Sequence, residues 1–394
     1  MKLKSLIIGT AAALSVASMA IADRGSDGHV NIIYWQAPSI LNPYLSGGTK
    51  DVESSSMIIE PLARYNQDGE LTAWLATEIP TVSNGGVSAD LMSITWNITP
   101  GIKWSDGSAF TAHDVVFTGN YCMNPDGGCA QSNKLADVAN IEALDDLTVK
   151  VTFSVAKPFP YGPFVGAEQP IIQKAQFADC AGAKAPECTA ENFGPIGTGP
   201  FVVTDFKAND VITMEANPHY RDASKPAFAS VTFKGGGDAA AAARSVLETG
   251  EFDYAWNLQI DPTILSTMAA VGKGTVISSF GTATERLMVN LSNPDPALGD
   301  LRSTLEGGPH PFLTDAAVRR ALSVSIDRNL LAEVGYGAAG KATCNIVPGP
   351  AIYVSTANDE CLVQDIAKAN NILEAAGWQR GSDGIREKDG VRLS

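Results

Sequence analysis

The sequence is poor in the residue patterns that carry catalysis. Neither the G-x-S-x-G turn of serine hydrolases nor the H-E-x-x-H motif of zinc proteases occurs. The carboxylates of Asp145 and Asp146 are adjacent in a turn, where neighbouring side chains point apart. We therefore expect no catalytic residue and no cofactor, and a secreted hydrolase is kept only as the alternative from another functional class.

Histidine is scarce, and the pattern C-x-x-C is absent. The chain has four histidines and six cysteines. The histidines are scattered along the sequence: His29, His113, His219 and His310. This distribution argues against a metal site built by the protein, so no metal ligand is assigned.

Long apolar runs and internal repeats are also lacking after the N-terminus. No stretch beyond residue 22 is apolar enough for a membrane-spanning helix. No repeat or low-complexity linker divides the chain. A length of 394 residues then favours two or three domains with substantial cores.

The N-terminus is typical of a targeting segment. Lys2 and Lys4 precede a short apolar run over residues 6–19, and Ala20-Ile21-Ala22 is similar to a cleavage site. Residues 1–22 are therefore predicted to be a signal peptide. No cysteine lies near the cut to carry a lipid, so export with a free N-terminus indicates the periplasm of a Gram-negative bacterium.

The mature chain is strongly acidic. Without Lys2 and Lys4, 26 basic residues stand against 43 acidic ones, a net charge of −17. Such a surface repels phosphate backbones and anionic lipids, so nucleic acid and anionic membranes are not expected partners.

The cysteines form three close pairs in the sequence, and export favours disulfides. Six cysteines allow about fifteen connectivities. Each close pair would close a loop rich in Gly, Ala, Asn or Pro, and a metal site is the competing interpretation. The favoured disulfides are Cys122–Cys129, Cys180–Cys188 and Cys344–Cys361.

The densest local signal lies over residues 99–117, directly after a predicted strand at residues 92–98. Ile94, Trp96 and Ile98 alternate with polar residues, as in a half-buried strand. Turns follow at Pro100-Gly101 and Asp106-Gly107. Thr111, with Asp114 three residues later, predicts a capped helix start.

This stretch closely resembles the signature of the family 5 extracytoplasmic solute-binding proteins, the peptide, dipeptide and nickel binders of ABC importers. The matching residues are Gly101, Lys103, Trp104, Asp106, Gly107, Phe110, Thr111, Ala112, Asp114, Val115, Val116 and Phe117. Thr99 stands where the family usually has a basic residue. Further blocks resemble the family at residues 196–201 (IGTGPF), 217–220 (NPHY), 286–291 (RLMVNL, a predicted strand) and 314–328 (TDAAVRRALSVSIDR).

The resemblance implies an α/β fold, a two-lobed periplasmic binding protein of type II, cluster C-like, with an inserted subdomain in the first lobe. It places the first lobe core at residues 23–75 and 194–285, the inserted subdomain at 76–193, and the second lobe at 286–394. Family members are longer, so the second lobe is expected to be incomplete and the chain to be truncated at its C-terminus.

The resemblance also places ligand contacts at two strand ends. The candidates are Trp35, Gln36, Pro38, Asn42, Trp256 and Asn257. The aromatic rings offer stacking surfaces and the amides offer hydrogen bonds. The alternative is that Trp35 and Trp256 are core residues and that Asn42 caps a turn.

The expected function is capture of a small solute, an oligopeptide or dipeptide, between the lobes and delivery to the transmembrane subunits of an ABC permease. The protein is expected to be a monomer. Oligosaccharide and chelated nickel are the alternative ligands within the family. Residues that hold the ligand's charge are expected beyond Ser394.

Overall fold

The computed structural model describes residues 23–278, 280–349 and 353–394. The predicted signal peptide, residues 1–22, lies outside the described residues. The chain folds into two compact units. The first holds residues 23–66, Leu71–Asp238 and Phe252–Trp256, and the second holds Gln67–Glu70, Ala239–Glu251 and Asn257–Ser394. The predicted division into lobes and an inserted subdomain stays a prediction.

The first unit contains both strands and helices, and helices dominate the second. The strands are β1 His29–Tyr34, β2 Ala63–Tyr65, β3 Leu71–Ala73, β4 Ser93–Asn97, β5 Val138–Asp145, β6 Thr148–Phe153, β7 Phe201–Lys207, β8 Val211–Ala216, β9 Ser230–Gly235, β10 Tyr254–Trp256, β11 Gln379–Arg380, β12 Arg386–Lys388 and β13 Val391–Arg392. The helices are α1 Thr49–Ser55, α2 Ala112–Met123, α3 Lys174–Phe177, α4 Thr189–Phe193, α5 Ala239–Arg244, α6 Pro262–Ala269, α7 Ala316–Ser325, α8 Arg328–Tyr336 and α9 Ile366–Ala375.

A mixed sheet with the order β10-β1-β9-β8-β7 forms the core of the first unit. Strand β1 pairs in parallel with both β9 and β10, whereas β8 runs antiparallel to β7 and β9. On one face Val30, Tyr34, Val231 and Phe233 are buried. The period-2 alternation of these strands therefore turns one face of the sheet to the core.

The segment with the densest sequence signal folds largely as predicted. β4 pairs with β6 in a second, three-stranded antiparallel sheet with the order β4-β6-β5. At the start of α2 the Asp114 carboxylate accepts a hydrogen bond from the Thr111 backbone N–H at 3.0 Å. Trp104 is 1% exposed and packs edge-on against Phe110, so it is a core residue.

All three favoured disulfides are confirmed. Cys122–Cys129, Cys180–Cys188 and Cys344–Cys361 are each bonded. Glu191 lies near Cys180 and Cys188, but those sulfurs are joined to each other and no thiolate is left to hold a metal ion. Each bridge closes a short loop and so restricts the unfolded chain locally.

In the second unit, α7 and α9 pack through Ala321, Val324 and Ala369. The short sheet β11-β12-β13 lies next in the chain. Arg386 of β12 is 6% exposed and donates hydrogen bonds to the Trp378 carbonyl at 2.7 Å and to Glu374 at 3.1 Å.

The prediction of a strand over residues 286–291 is wrong. These residues are in no strand, and Leu287 and Met288 are 78% and 83% exposed. The prediction rests on the family resemblance, and a strand also needs neighbouring backbone to pair with. The Leu291 carbonyl accepts from the His310 N–H at 2.8 Å, as part of an isolated bridge between Ser292 and Pro309 rather than of a ladder.

A buried carboxylate at Glu60 joins segments of the first unit that are distant in sequence. Glu60 is fully buried and accepts hydrogen bonds from Trp74 Nε1 at 2.6 Å, Thr198 Oγ1 at 2.9 Å and Arg221 Nη1 at 2.6 Å. The Arg64 guanidinium lies 3.9 Å from the same carboxylate and 4.0 Å from the centroid of the Trp74 ring. Burial lowers the pKa of Arg64. The negative charge of Glu60 opposes this shift, and the positive charge of Arg221 adds to it.

Replacement of Glu60 by Gln should destabilise the first unit. Two partly buried guanidiniums would lose their shared counter-charge, so we expect the free energy of unfolding to fall by about 3 kcal/mol. Urea denaturation followed by circular dichroism measures the change. Glu215→Gln, at an exposed position of β8, is the matched control and should change stability by less than about 0.5 kcal/mol. Equal stability of the two variants would contradict the assigned role of Glu60.

Candidate ligand-binding site

An open pocket lies in the first unit at the carboxyl ends of β1 and β9. Its volume is about 500 Å³, and its lining residues are Trp35, Gln36, Ala37, Lys50, Asn209, Gly235 and Gly237. Parallel strands bring their carboxyl ends to the same edge of a sheet, and ligands commonly bind at such edges in α/β proteins. The pocket therefore arises from the parallel pairing of β1 and β9.

Glycine at the end of β9 is required by close backbone approach. A Cβ added to Gly235 would lie 2.2 Å from the Ala37 Cβ, which no side chain tolerates. Gly237 has φ +77°, a conformation that favours glycine. The three consecutive glycines thus let the loop after β1 pass close to the end of β9.

Two of the predicted contact residues line this pocket. Trp35 is partly buried and Gln36 is exposed. Together they present an aromatic surface and an amide that can both donate and accept hydrogen bonds.

The loop after β1 is held by one carboxylate, that of Asp51 in α1. Asp51 accepts hydrogen bonds from the Ser39 backbone N–H at 2.7 Å, from Ser46 Oγ at 2.7 Å and from Lys50 Nζ at 2.9 Å. Its side chain is 2% exposed. Burial by itself would raise the pKa of Asp51, but the hydrogen bonds from Lys50, Ser46 and Ser39 outweigh it and lower that pKa below its usual value.

Pro38 and Asn42 take scaffolding positions. Pro38 is buried, and its carbonyl accepts from the Asn209 N–H at 2.8 Å. Asn42 is fully buried; its Oδ1 accepts from the Tyr44 N–H, and its Nδ2 donates to Tyr121 Oη at 3.1 Å and to Asn192 Oδ1 at 2.9 Å. The assignment of Asn42 as a ligand contact is corrected, because its amide is used within the protein.

Trp256 lies beside the same strand end. In register it is opposite Tyr34, and the two rings stack with centroids 5.1 Å apart. Trp256 is partly buried, so one part of the indole packs and another is accessible. Its role as a ligand contact stays a prediction.

Asn257, the next residue, begins the last segment of the second compact unit and has φ +57°. Its Oδ1 accepts a hydrogen bond from Gln259 Nε2 at 3.1 Å. Its role as a ligand contact also stays a prediction.

Tyr34 connects the strand end to α1. Its hydroxyl donates a hydrogen bond to Glu53. Burial raises the pKa of Tyr34 well above its usual value, and the Glu53 carboxylate adds to the shift. Burial also raises the pKa of Glu53, against the opposing effect of the Tyr34 hydrogen bond.

Sequence reasoning missed Lys50, Asp51 and Asn209. Asn209 lies in a turn far along the chain, where no sequence signal connects it with residue 35. Asp51 could have been noticed as an acidic residue in the first turn of a helix, although that position is usually explained by the helix dipole.

A second cavity lies next to the Cys122–Cys129 bridge. Its volume is about 470 Å³, and Met123, Leu135 and Val138 are among the residues that line it. It contains no charged side chain among its lining residues and none of the predicted contact residues.

The family model for bacterial extracellular solute-binding proteins, family 5, middle region, matches residues 70–393. The chain therefore belongs to this family. Protein XP55 of Streptomyces lividans is 28% identical over 375 residues, which cover 94% of this chain and 62% of that protein. The chain thus spans less than two thirds of the length of this relative.

Solved structures of binding proteins share the fold and confirm the predicted α/β class. The oligopeptide-binding protein AppA from Bacillus subtilis, in complex with a nonapeptide, is 21% identical with a TM-score of 0.62, over 94% of this chain and 68% of that one. NikA from Brucella suis, in complex with Fe(III)-EDTA, is 24% identical with a TM-score of 0.67, over 93% of this chain and 68% of that one.

Replacement of Asn42 by Ala should lower stability. The change removes a turn cap and leaves buried polar partners unsatisfied, so we expect a loss of about 2 kcal/mol in the free energy of unfolding. The matched control is Gln36→Ala, an exposed amide in the same loop, which should leave the unfolding midpoint nearly unchanged. Chemical denaturation of both variants measures the difference, and a stable Asn42→Ala protein would refute the anchoring role.

Proposed function

We propose that this chain is the substrate-binding component of an ABC importer, exported by a signal peptide to the periplasm of a Gram-negative bacterium. In this role it captures a small solute, an oligopeptide or dipeptide, between two lobes and delivers it to the membrane permease. Membership of the family and the pocket at Trp35 and Gln36 support the proposal. The described residues include no helix with the length and apolarity to cross a bilayer.

The pocket suits a peptide because its groups recognise features that all peptides share. The Gln36 amide can pair with a backbone carbonyl or N–H, and the Trp35 indole offers apolar surface to side chains of varied shape. Affinity would then depend little on the peptide's sequence.

We propose that the two lobes close around the ligand, as in other binding proteins of two lobes. The ligand stabilises the closed state only by contacts that the open state lacks. The closed state would then be the form that the permease recognises. We propose that the protein acts as a monomer with no nucleic-acid partner, in line with its acidic surface.

Chelated nickel is the second candidate ligand. The structural similarity to NikA bound to Fe(III)-EDTA favours it, since that ligand is a metal already wrapped in a chelator. Oligosaccharide is a further alternative because Trp35 could stack on a sugar ring.

Mass spectrometry of small molecules that co-purify with the periplasmic protein tests the proposal. The protein should release short peptides in roughly equimolar amount on denaturation. A metal–chelator complex or an oligosaccharide in that amount would overturn the peptide assignment. Accumulation of a reaction product from an added substrate would overturn the assignment of the chain as a binding protein.

Replacement of Trp256 by Ala should weaken ligand binding by about tenfold, because a partly accessible indole contributes on the order of 1–2 kcal/mol as a contact surface. Isothermal titration calorimetry with a peptide that co-purifies measures the affinity. Thermal unfolding of the same sample is the control. A collapse of stability with unchanged affinity per folded molecule would show that Trp256 is a core residue.

A further inference from the structure

The pocket at the end of β1 contains one charged side chain among the lining residues that the structure describes, Lys50. In a chain with a net charge of −15, an ammonium at a binding site would be the obvious group to attract an anionic ligand. The contacts of Lys50 show a different arrangement.

The Lys50 ammonium is paired within the protein. Its Nζ lies 2.9 Å and 3.0 Å from the two carboxylate oxygens of Asp51 and donates to Ser39 Oγ at 2.8 Å. Only 21% of the Lys50 side chain and 2% of the Asp51 side chain are exposed. The ammonium therefore reaches the pocket with its three donors directed at protein oxygens and its charge balanced at contact distance.

Asp51 also determines the shape of the wall that carries Trp35 and Gln36. It accepts from the backbone N–H of Ser39 and, at 3.4 Å, from that of Ile40, as well as from Ser46 Oγ. One buried carboxylate thus fixes the loop and neutralises the cation beside it.

We propose that Asp51 is a positioning residue that sets the charge preference of the pocket, so that this part of the site accepts an uncharged polar group of the ligand and gives no advantage to an anionic one. This inference rests on the proposed function, since it concerns how the same pocket selects its ligand. For a peptide, the group at this position would be backbone or a neutral side chain, and the ligand's charged ends would lie elsewhere.

Three variants separate the effect of the Lys50 and Asp51 charges from the effect of Asp51 on the shape of the loop. Asp51→Asn leaves the Lys50 charge uncompensated. Lys50→Met leaves the Asp51 charge uncompensated but keeps the hydrogen bonds to the loop. The double variant removes both charges. A purely structural role of Asp51 predicts that the double variant behaves like Asp51→Asn, whereas charge selection predicts that it returns toward the wild type.

The charge of the pocket can be measured without ligand by quenching the fluorescence of Trp35. The readout is the ratio of the quenching constant for iodide, an anion, to that for acrylamide, which is neutral. The Trp35 contribution is isolated by subtracting the same measurement on Trp35→Phe. We expect the iodide-to-acrylamide ratio to rise about twofold in Asp51→Asn, to fall in Lys50→Met, and to return to the wild-type value in the double variant. Equal ratios in all four proteins would overturn the inference.

Fluorescence titrations with Ala-Ala-Ala, Ala-Glu-Ala and Ala-Lys-Ala then test the consequence for binding. Relative to the affinity for Ala-Ala-Ala, the affinity of Asp51→Asn for the anionic peptide should rise about tenfold. The relative affinity of Lys50→Met for the cationic peptide should also rise. A uniform loss for all three peptides would show that Asp51 acts on shape alone. If the wild type binds none of them while the quenching ratios shift as expected, the peptide assignment fails and the inference about pocket charge stands.

Discussion

The parallel pairing of β1 with both β9 and β10 is the constraint on which the first unit depends. It places three strand ends at one edge of the sheet and brings the residues after β1 against the residues after β9. The contact is so close that Gly235 can carry no side chain beside Ala37. The pocket and the stacking of Tyr34 on Trp256 follow from this arrangement.

Two buried carboxylates stabilise the first unit in different ways. Asp51 works locally, since its partners lie within 12 residues of it, and it fixes a loop. Glu60 works over long sequence distances, since its partners Thr198 and Arg221 lie 138 and 161 residues away. Buried charges are expensive to desolvate, and both sites offset that cost with several hydrogen bonds per carboxylate.

Much of the fold could be predicted from the sequence because its signals are local. The alternation of Ile94, Trp96 and Ile98, the capped start of α2 and the three close cysteine pairs each depend on residues a short distance apart. The candidate site could be predicted only in part, at Trp35 and Gln36. The sequence around Asn42 suggests a ligand amide because it does not show Tyr121 and Asn192, which use that amide in the folded chain. Residues 286–291 resemble a strand of the family, but the resemblance carries no information on whether another strand lies beside them in this structure.

The most direct test of the account is a crystal structure of the protein with a bound peptide such as Ala-Ala-Ala. The account predicts peptide density against the Trp35 indole, with a polar peptide atom within hydrogen-bond distance of Gln36 and with the Lys50–Asp51 pair intact. Peptide density in the cavity beside the Cys122–Cys129 bridge, with the Trp35 pocket free of peptide, would contradict it.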